Sequence, residues 1–457
     1  MKHHHIPLLI VLGTTSFCFA DPFEFEWGYH YNFDDRTELN NICAAPNGDI
    51  YVCGKTSRGK FGPFGVIFEG QVISRIDPTG AVVWSRVYND IFEEAEVYSW
   101  GIASDDLGNA YIGGDAPSTI PGVGGHGINI AKYDSDGNQM WYSEIASGIH
   151  DVFSDIDIDS AGNVYFVGST RGNLPAHIGD FDVVIGSLDA DGALRWTRQF
   201  GSVELDFGGE IKVDPSGNIF VAGLTRGDFV GTSHGAQDAL LAKYDSDGTL
   251  LWQTQLGTPE SENYGNIALD STGNVYLAGA VSGDISVMKL DPTGTPIWIS
   301  TFGSADMDAV WEIEIDSNDT LYLAGSYAGA SNSGDAFVAQ LDNNGNQLWL
   351  HSVGSAQIDV ARGLFLDEMN NIYIAGVTYG NLFAPSMMSG PDGFIAKFAP
   401  DVCYADCDSD GDLDIVDYIC FGNAYAAQDP YADCDGSGSL NVFDYICFGN
   451  AYAAGCP

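Results

Sequence analysis

Three observations predict that most of this 457-residue chain is an all-β ring of seven blades, a seven-bladed β-propeller, followed by a small α-helical calcium-loop module. A strand motif recurs seven times, a tryptophan series runs out of phase with it, and D-x-x-G turns punctuate both. The motif is G-N-hydrophobic-Tyr-x-x-Gly or a close variant, centred on Tyr51, Tyr111, Tyr165, Phe220, Tyr276, Tyr322 and Tyr373. Each copy alternates apolar and polar residues as a strand does, behind a Gly or Asn turn. Trp27, Trp84, Trp141, Trp196, Trp252, Trp298 and Trp349 each precede the next motif aromatic by 24 residues, apart from a three-residue insertion after Trp84. A third strand ends in turns such as IAKYDSDG and VMKLDPTG, and a fourth, such as NIALD or EIEID, leads into each motif turn. Four short strands per repeat, seven times over, make a propeller.

The phase of the repeat predicts how the ring closes. The chain opens on a Trp strand, FEFEWGYHY, and its last repeat stops at FIAKFAPD, where a Trp strand is due. The N-terminal strand therefore completes the seventh blade and removes an open sheet edge. Cys43 and Cys53 flank the PNGD turn of one hairpin, and a cross-strand disulfide is expected there.

The first 20 residues read as a cleaved secretory signal: Lys2, an apolar stretch from Ile6 to Phe19 too short to span a bilayer, and Ala20 before Asp21. His3 to His5 belong to that leader. No later window has the apolar length of a membrane helix. Eight cysteines remain after Cys18 leaves, an even number in an exported chain, so disulfides are the default. With 63 acidic against 17 basic residues the net charge is −46, which disfavours nucleic acid and anionic lipid as partners.

Asp335 to Trp349 (DAFVAQLDNNGNQLW), with the following IDVARGLFLD and NNIYIAG, resemble the bacterial β-propeller repeat called SBBP. The resemblance covers residues 22–400 and implies fold far more than function. The segments DPTGTPIW and DPTGAVVW are also similar to the tryptophan-docking motif of quinoprotein dehydrogenases. There the motif ties blades together, and the adjacent Cys-Cys pair of many of those enzymes is missing here.

A ligand face is expected where the innermost strands begin. Asp151, Asp206, Glu262, Asp308 and Asp359 each follow a Trp by ten residues, placing five acids at one mouth of the central channel. They serve either a cation or sugar site or the hydrogen bonding of their own loops. Loops of varying length on the same face carry His126, His177 and His234. Carboxylates at a channel mouth are also all that a polysaccharide-active enzyme requires, which makes such an enzyme the alternative to a binding propeller.

After Pro400 the pattern changes. Asp406 to Asp417 (DCDSDGDLDIVD) and Asp433 to Asp444 (DCDGSGSLNVFD) place oxygen side chains at positions 1, 3, 5 and 12 and Gly at 6, the calcium-loop arrangement. Ser437 replaces an acid in the second loop, which lowers its expected affinity. Each loop leads into DYICFGNAYAA, whose Tyr418, Phe421 and Tyr425, or Tyr445, Phe448 and Tyr452, share one helix face. Those faces are expected to pack together. Cys403, Cys407, Cys420, Cys434, Cys447 and Cys456 could form three disulfides, with Cys403 and Cys456 the first choice as a clasp.

Two such loop-helix units resemble a dockerin, and the cysteine-rich form ending G-C-P is similar to the GC-type dockerin of exported bacterial proteins. The resemblance covers 403–457 and implies calcium ligation by Asp406, Asp408, Asp410, Asp412 and Asp417, and by Asp433, Asp435, Ser437, Ser439 and Asp444. Ile415, Val416, Val442 and Phe443 stand where cellulosomal dockerins carry small polar residues. The domains expected are a signal at 1–20, a propeller at 21–400 and a dockerin-like domain at 401–457. The function expected is a secreted, non-catalytic binding or scaffolding propeller, with an unknown protein or glycan ligand. A cohesin-like or surface-sorting protein would receive its tail and hold it in an extracellular assembly or at the cell surface.

Overall fold

The computed structural model describes residues 23–31, 36–59, 67–92, 98–304, 306–329, 334–383, 391–400 and 415–427, with isolated residues between 432 and 452. Seven four-stranded antiparallel sheets form seven blades. Their innermost strands are Arg36–Ala44, Tyr98–Ser104, Asp151–Ile158, Asp206–Val213, Glu262–Leu269, Ala309–Ile315 and Asp359–Leu366, taken here as blades 1 to 7. Six blades use four consecutive strands. Blade 7 joins Asp359–Leu366, Ile372–Thr378 and Asp392–Pro400 to the N-terminal strand Phe23–Tyr31, so both ends of the ring meet in one sheet.

The D-x-x-G turns owe their shape to one side chain each. Asp159 Oδ1 accepts the amides of Ala161 and Asn163, both at 2.9 Å, while Gly162 donates to the Asp159 carbonyl at 2.9 Å. The same pattern holds at Asp134, Asp214 and Asp342. An aspartate that bonds its own backbone in this way stabilises a tight turn. Asp270 also bonds the Asn274 and Thr272 side chains and Lys289, and these donors outweigh its burial and hold its carboxyl down at about 2.

Blade joins blade through these turns. Trp141 Nε1 donates to the Ala190 carbonyl of the next blade at 3.0 Å, Trp196 to Ser246 at 3.1 Å, and Trp298 to Asn343 at 3.2 Å. Each indole lies flat against the turn glycine. A Cβ built on Gly137, Gly192, Gly248, Gly294 or Gly345 would come within 2.7 to 2.9 Å of the preceding blade's Trp ring, and all five glycines have positive φ. Trp27 Nε1 makes the closing contact, to Pro78 O of blade 1 at 3.1 Å. Trp349 turns back, to Gln340 of its own blade at 2.6 Å. Its neighbour, blade 7, has no turn between its last two strands, because those strands come from opposite ends of the propeller.

The expected Cys43–Cys53 disulfide is not formed; both are free thiols. The hairpin turns about Asn47, with Ala45 and Asp49 paired across it, so Cys43 opposes Tyr51 and Cys53 opposes Asn41. The two cysteines share a face but stand two residues apart along the ladder, as diagonal neighbours. Burial pushes the Cys53 thiol up to about 12 and raises Cys43 as well. They act as small apolar core residues, with Cys53 in the cluster of Tyr51, Ile73 and Ile102 between blades 1 and 2.

The described tail residues form a separate unit. Helix α1 (Ile415–Ala427) begins with Asp417 in its first turn and wholly buried. Phe421 stacks on Phe448 with centroids 4.2 Å apart, and the flanking contacts are paired: Tyr418 with Tyr452 at 4.6 Å, Tyr425 with Tyr445 at 4.7 Å. The two copies of the eleven-residue unit thus pack as pseudo-equivalent halves, aromatic face to aromatic face. Cys420 is disulfide-bonded. Cys403, Cys407, Cys434, Cys447 and Cys456, and every proposed calcium ligand except Asp417, lie outside the described residues.

Changing Gly192 to Ala is expected to destabilise the propeller by roughly 2 kcal/mol or more, because it adds both left-handed strain and a clash with Trp141. Urea unfolding of the variant against the wild type measures this. Ala190→Ser, at the neighbouring residue whose backbone carbonyl carries the contact, should cost far less.

Candidate functional site

Each inner strand carries a bulge at the same height. The ladder slips between Leu39/Asn41, Ser99/Gly101, Phe153/Asp155, Gly208/Ile211, Tyr264/Asn266, Val310/Glu312 and Ala361/Gly363. A bulge leaves one residue unpaired and re-aims its side chain. The residues so placed are Asn40, Trp100, Ser154, Gly209, Gly265, Trp311 and Arg362, with Glu210 also outside the ladder in blade 4, and all of them line one cavity of about 370 Å³ in the central channel. The frame around the ring is repetitive; this position is not. Trp311 is 45% exposed, with its ring open to the cavity. Gly265 leaves open space, since a Cβ there would meet nothing within 4 Å.

In blades 3, 4 and 5 the next residue along the bulge ties its blade to the following one. Asp155 accepts the Ile211 amide at 3.1 Å, Glu210 the Ile267 amide at 2.7 Å, and Asn266 donates to the Val310 carbonyl at 3.3 Å. Two residues deeper, Asp157 accepts the Val213 amide at 2.7 Å. Arg362 spans the closure between blades 7 and 1, donating to Glu38 at 3.0 Å and Asn40 at 2.6 Å, with its guanidinium 5.8 Å from the Trp311 ring.

Charge in this channel is unbalanced. Lys212 Nζ lies 2.7 Å from Glu210 and 3.7 Å from Glu314, while Asp155, Asp157 and Glu312 have no comparably close cation among the described residues. Burial, and then the negative field of Glu210, raise Asp155 and Glu312 well above ordinary carboxyl values. Burial also raises Asp157 and Glu314. Burial alone would lower the Lys212 ammonium, but Glu210, Glu314 and Glu312 outweigh it and hold it well above the usual lysine value. A second cavity of about 690 Å³, lined by Asp157, Lys212 and Glu314, continues along the same strands.

The acids expected at the channel mouth are placed differently. Asp151, Asp206, Glu262 and Asp359 begin inner strands and Asp308 stands one residue before its own, and all five are buried. Each accepts the backbone amide four residues earlier: from Ser147 and Ser202 at 2.5 Å, Thr258 at 2.9 Å, and Ser304 and Ser355 at 2.6 Å. They close the loops between blades. His126, His177 and His234 each stand beside one aspartate, at 3.6 Å from Asp115, 3.6 Å from Asp182 and 3.8 Å from Asp238. Among the described residues no three His, Cys, Asp or Glu side chains are grouped to hold a metal. Trp100 and Trp311, the two tryptophans outside the repeat series, were the available sequence signal for the channel site.

The profile of the family described as outer membrane protein assembly factor BamB matches residues 180–386. An uncharacterized WD repeat-containing protein, L264, of Acanthamoeba polyphaga mimivirus is 23% identical over 116 residues, 20% of this chain and 8% of that protein. The chain thus spans less than a tenth of that relative. Among solved structures, a protein of unknown function from Dyadobacter fermentans is similar at TM-score 0.48 and 9% identity, covering 82% of this chain and 98% of that one. YCF48 bound to D1 peptide is similar at 0.46 and 9%, covering 83% and 96%. Penicillium chrysogenum α-L-arabinanase complexed with arabinobiose is similar at 0.44 and 10%, covering 66% and 93%. The chain is a β-propeller repeat protein.

The raised channel acids fix a pH dependence. A carboxyl whose folded value exceeds its unfolded value of about 4 adds stability that is complete below that value and is lost as pH rises through the folded one. The turn aspartates act oppositely: Asp270 adds stability present above about 4 and lost as pH falls toward its folded value of about 2. Urea midpoints are therefore expected to peak on the acid side of neutrality, and Glu312→Gln to flatten the decline as pH rises above that peak.

Proposed function

We propose that this chain is a secreted binding or scaffolding propeller that takes its ligand in the central channel and is held in an extracellular assembly by a calcium-folded, dockerin-like tail. One observation carries the channel part of this reading. Seven structurally equivalent bulge positions hold Asn40, Trp100, Ser154, Gly209, Gly265, Trp311 and Arg362, a varied set on a repetitive frame. Two aromatic faces with a few fixed polar groups in a concave site suit ligand recognition. Acids raised by burial beside Trp311 also suit general-acid chemistry, which keeps a polysaccharide-active enzyme as the second reading.

The tail part rests on the loop pattern and on two features of the folded unit. Asp417, the twelfth residue of the first loop, is wholly buried at the helix start, as a calcium-directed carboxylate would be. Ile415, Ile419, Val442 and Ile446 are more than half exposed while the aromatic stripes pack inward. That leaves related apolar surfaces on both halves for a partner such as a cohesin-like or surface-sorting protein.

Calorimetric titration of calcium into the chelated, oxidised chain is expected to show two binding events, the second weaker because Ser437 replaces an acid. Asp417→Asn should remove the tighter one. Capture of a partner from the producer's cell envelope should require calcium. Absence of calcium binding would overturn the docking role. Turnover of a glycan that Glu312→Gln abolishes, with folding intact, would select the enzyme.

A further inference from the structure

The channel cavity is negative beyond what Lys212 neutralises, and that excess has a specific location. Glu312 is about 94% buried, at 6% exposure, yet among the described residues its carboxylate accepts a single hydrogen bond, from the Ile313 amide at 3.3 Å. It lines the cavity next to the exposed face of Trp311, and Asp155 and Glu210 line the same space from blades 3 and 4. A carboxylate this buried with so little hydrogen bonding is costly unless a partner arrives.

The channel already shows which partner its chemistry accepts. Lys212 threads an aliphatic stem along the inner wall and sets its ammonium against Glu210 and Glu314. Arg362 pairs instead with Glu38 and Asn40 through Nη1, and among the described residues it forms no ion pair with Glu312. Trp311, 45% exposed, can cover methylenes or attract a cation, Trp100 lines the same cavity, and a Cβ on Gly265 would meet nothing within 4 Å.

We propose that the channel binds a primary ammonium group on an aliphatic stem, with the charge at Glu312, Asp155 and Glu210 and the stem against Trp100 and Trp311. This rests on the channel being the ligand site. A free diamine and a lysine side chain of a peptide share this chemistry. A neutral sugar would use the indoles but leave the carboxylates unpaired. Binding is linked to protons, because burial raises Glu312 and the ammonium pairs with its ionised form. The charged groups facing Glu312 are Asp155 and Asp157 of blade 3, Glu210 and Lys212 of blade 4, Glu314 of its own strand, and the Glu38–Arg362 pair of blades 1 and 7.

The test uses the full chain in saturating calcium, so that the tail is constant. It is titrated with 1,5-diaminopentane, with Nα-acetyl-lysine amide and with cellobiose, following tryptophan fluorescence and heat. One diamine or lysine amide per chain is expected, tightening about tenfold per pH unit while one acid must lose its proton. Glu312→Gln should weaken it roughly 10- to 100-fold, and Gly265→Leu should block it by filling the cavity. If Glu312→Gln does not fold, Trp311→Ala should also weaken the amine. Preference for the lysine amide over the diamine would identify a peptide as the source, and the reverse a free amine. Cellobiose binding that Gly265→Leu blocks, with the amines silent, would overturn the amine and leave the channel site standing. Amine binding indifferent to pH and to Glu312→Gln would overturn the proposal, as would silence from all three probes, which would count against the channel site as well.

Discussion

An indole lying on a glycine is the contact on which this fold depends. The D-x-x-G turns between the two outer strands hold Gly137, Gly192, Gly248, Gly294 and Gly345 at positive φ, and the preceding blade's tryptophan occupies the space a side chain would take at each. The aspartate shapes the turn, the glycine clears the surface, and the tryptophan both covers it and donates to its carbonyl. A single blade has no such contact. The geometry of the ring therefore comes from blade-to-blade docking as much as from hydrogen bonding within each sheet, and it is completed by Trp27 on the turn of blade 1.

A ring held at its rim leaves its centre free to vary. Inner-strand bulges project one residue per blade into the channel, and the adjacent carboxylates and amides bridge to the next strand. Blades 4 and 5 approach so closely at Gly209 and Gly265 that a Cβ on Gly209 would lie 2.3 Å from the Gly265 carbonyl oxygen. Blades 6 and 7 carry Trp311 and Arg362. An asymmetric, acidic, aromatic cavity is thus built from a symmetric scaffold by changing residues that the scaffold does not need.

Much of this was legible in the sequence, for reasons that also explain the rest. Blade number and closure follow from a period that repeats seven times, and the missing Trp strand after Phe398 pointed to the N-terminus. The Cys43–Cys53 pairing was misjudged because the hairpin turns about Asn47, which offsets the two residues by two along the ladder. The channel was missed because a bulge adds a residue and breaks the alternation from which strand faces are read. Asp151 and its equivalents repeat because each closes a loop by a hydrogen bond, one of the two roles their spacing allowed. The two tryptophans that break the period, Trp100 and Trp311, marked the site instead.

The most direct test of this account needs no ligand. Tryptophan fluorescence of the full chain is quenched in parallel with caesium and with iodide, in the wild type and in a Trp100→Phe, Trp311→Phe double variant. The account predicts that caesium reaches an emitting population that iodide does not, and that the double variant loses it, because those two indoles stand in an open, negative channel. Equal quenching by the two ions, or a caesium-accessible fraction unchanged by the double substitution, would contradict the placement of the bulge ring and the site built on it.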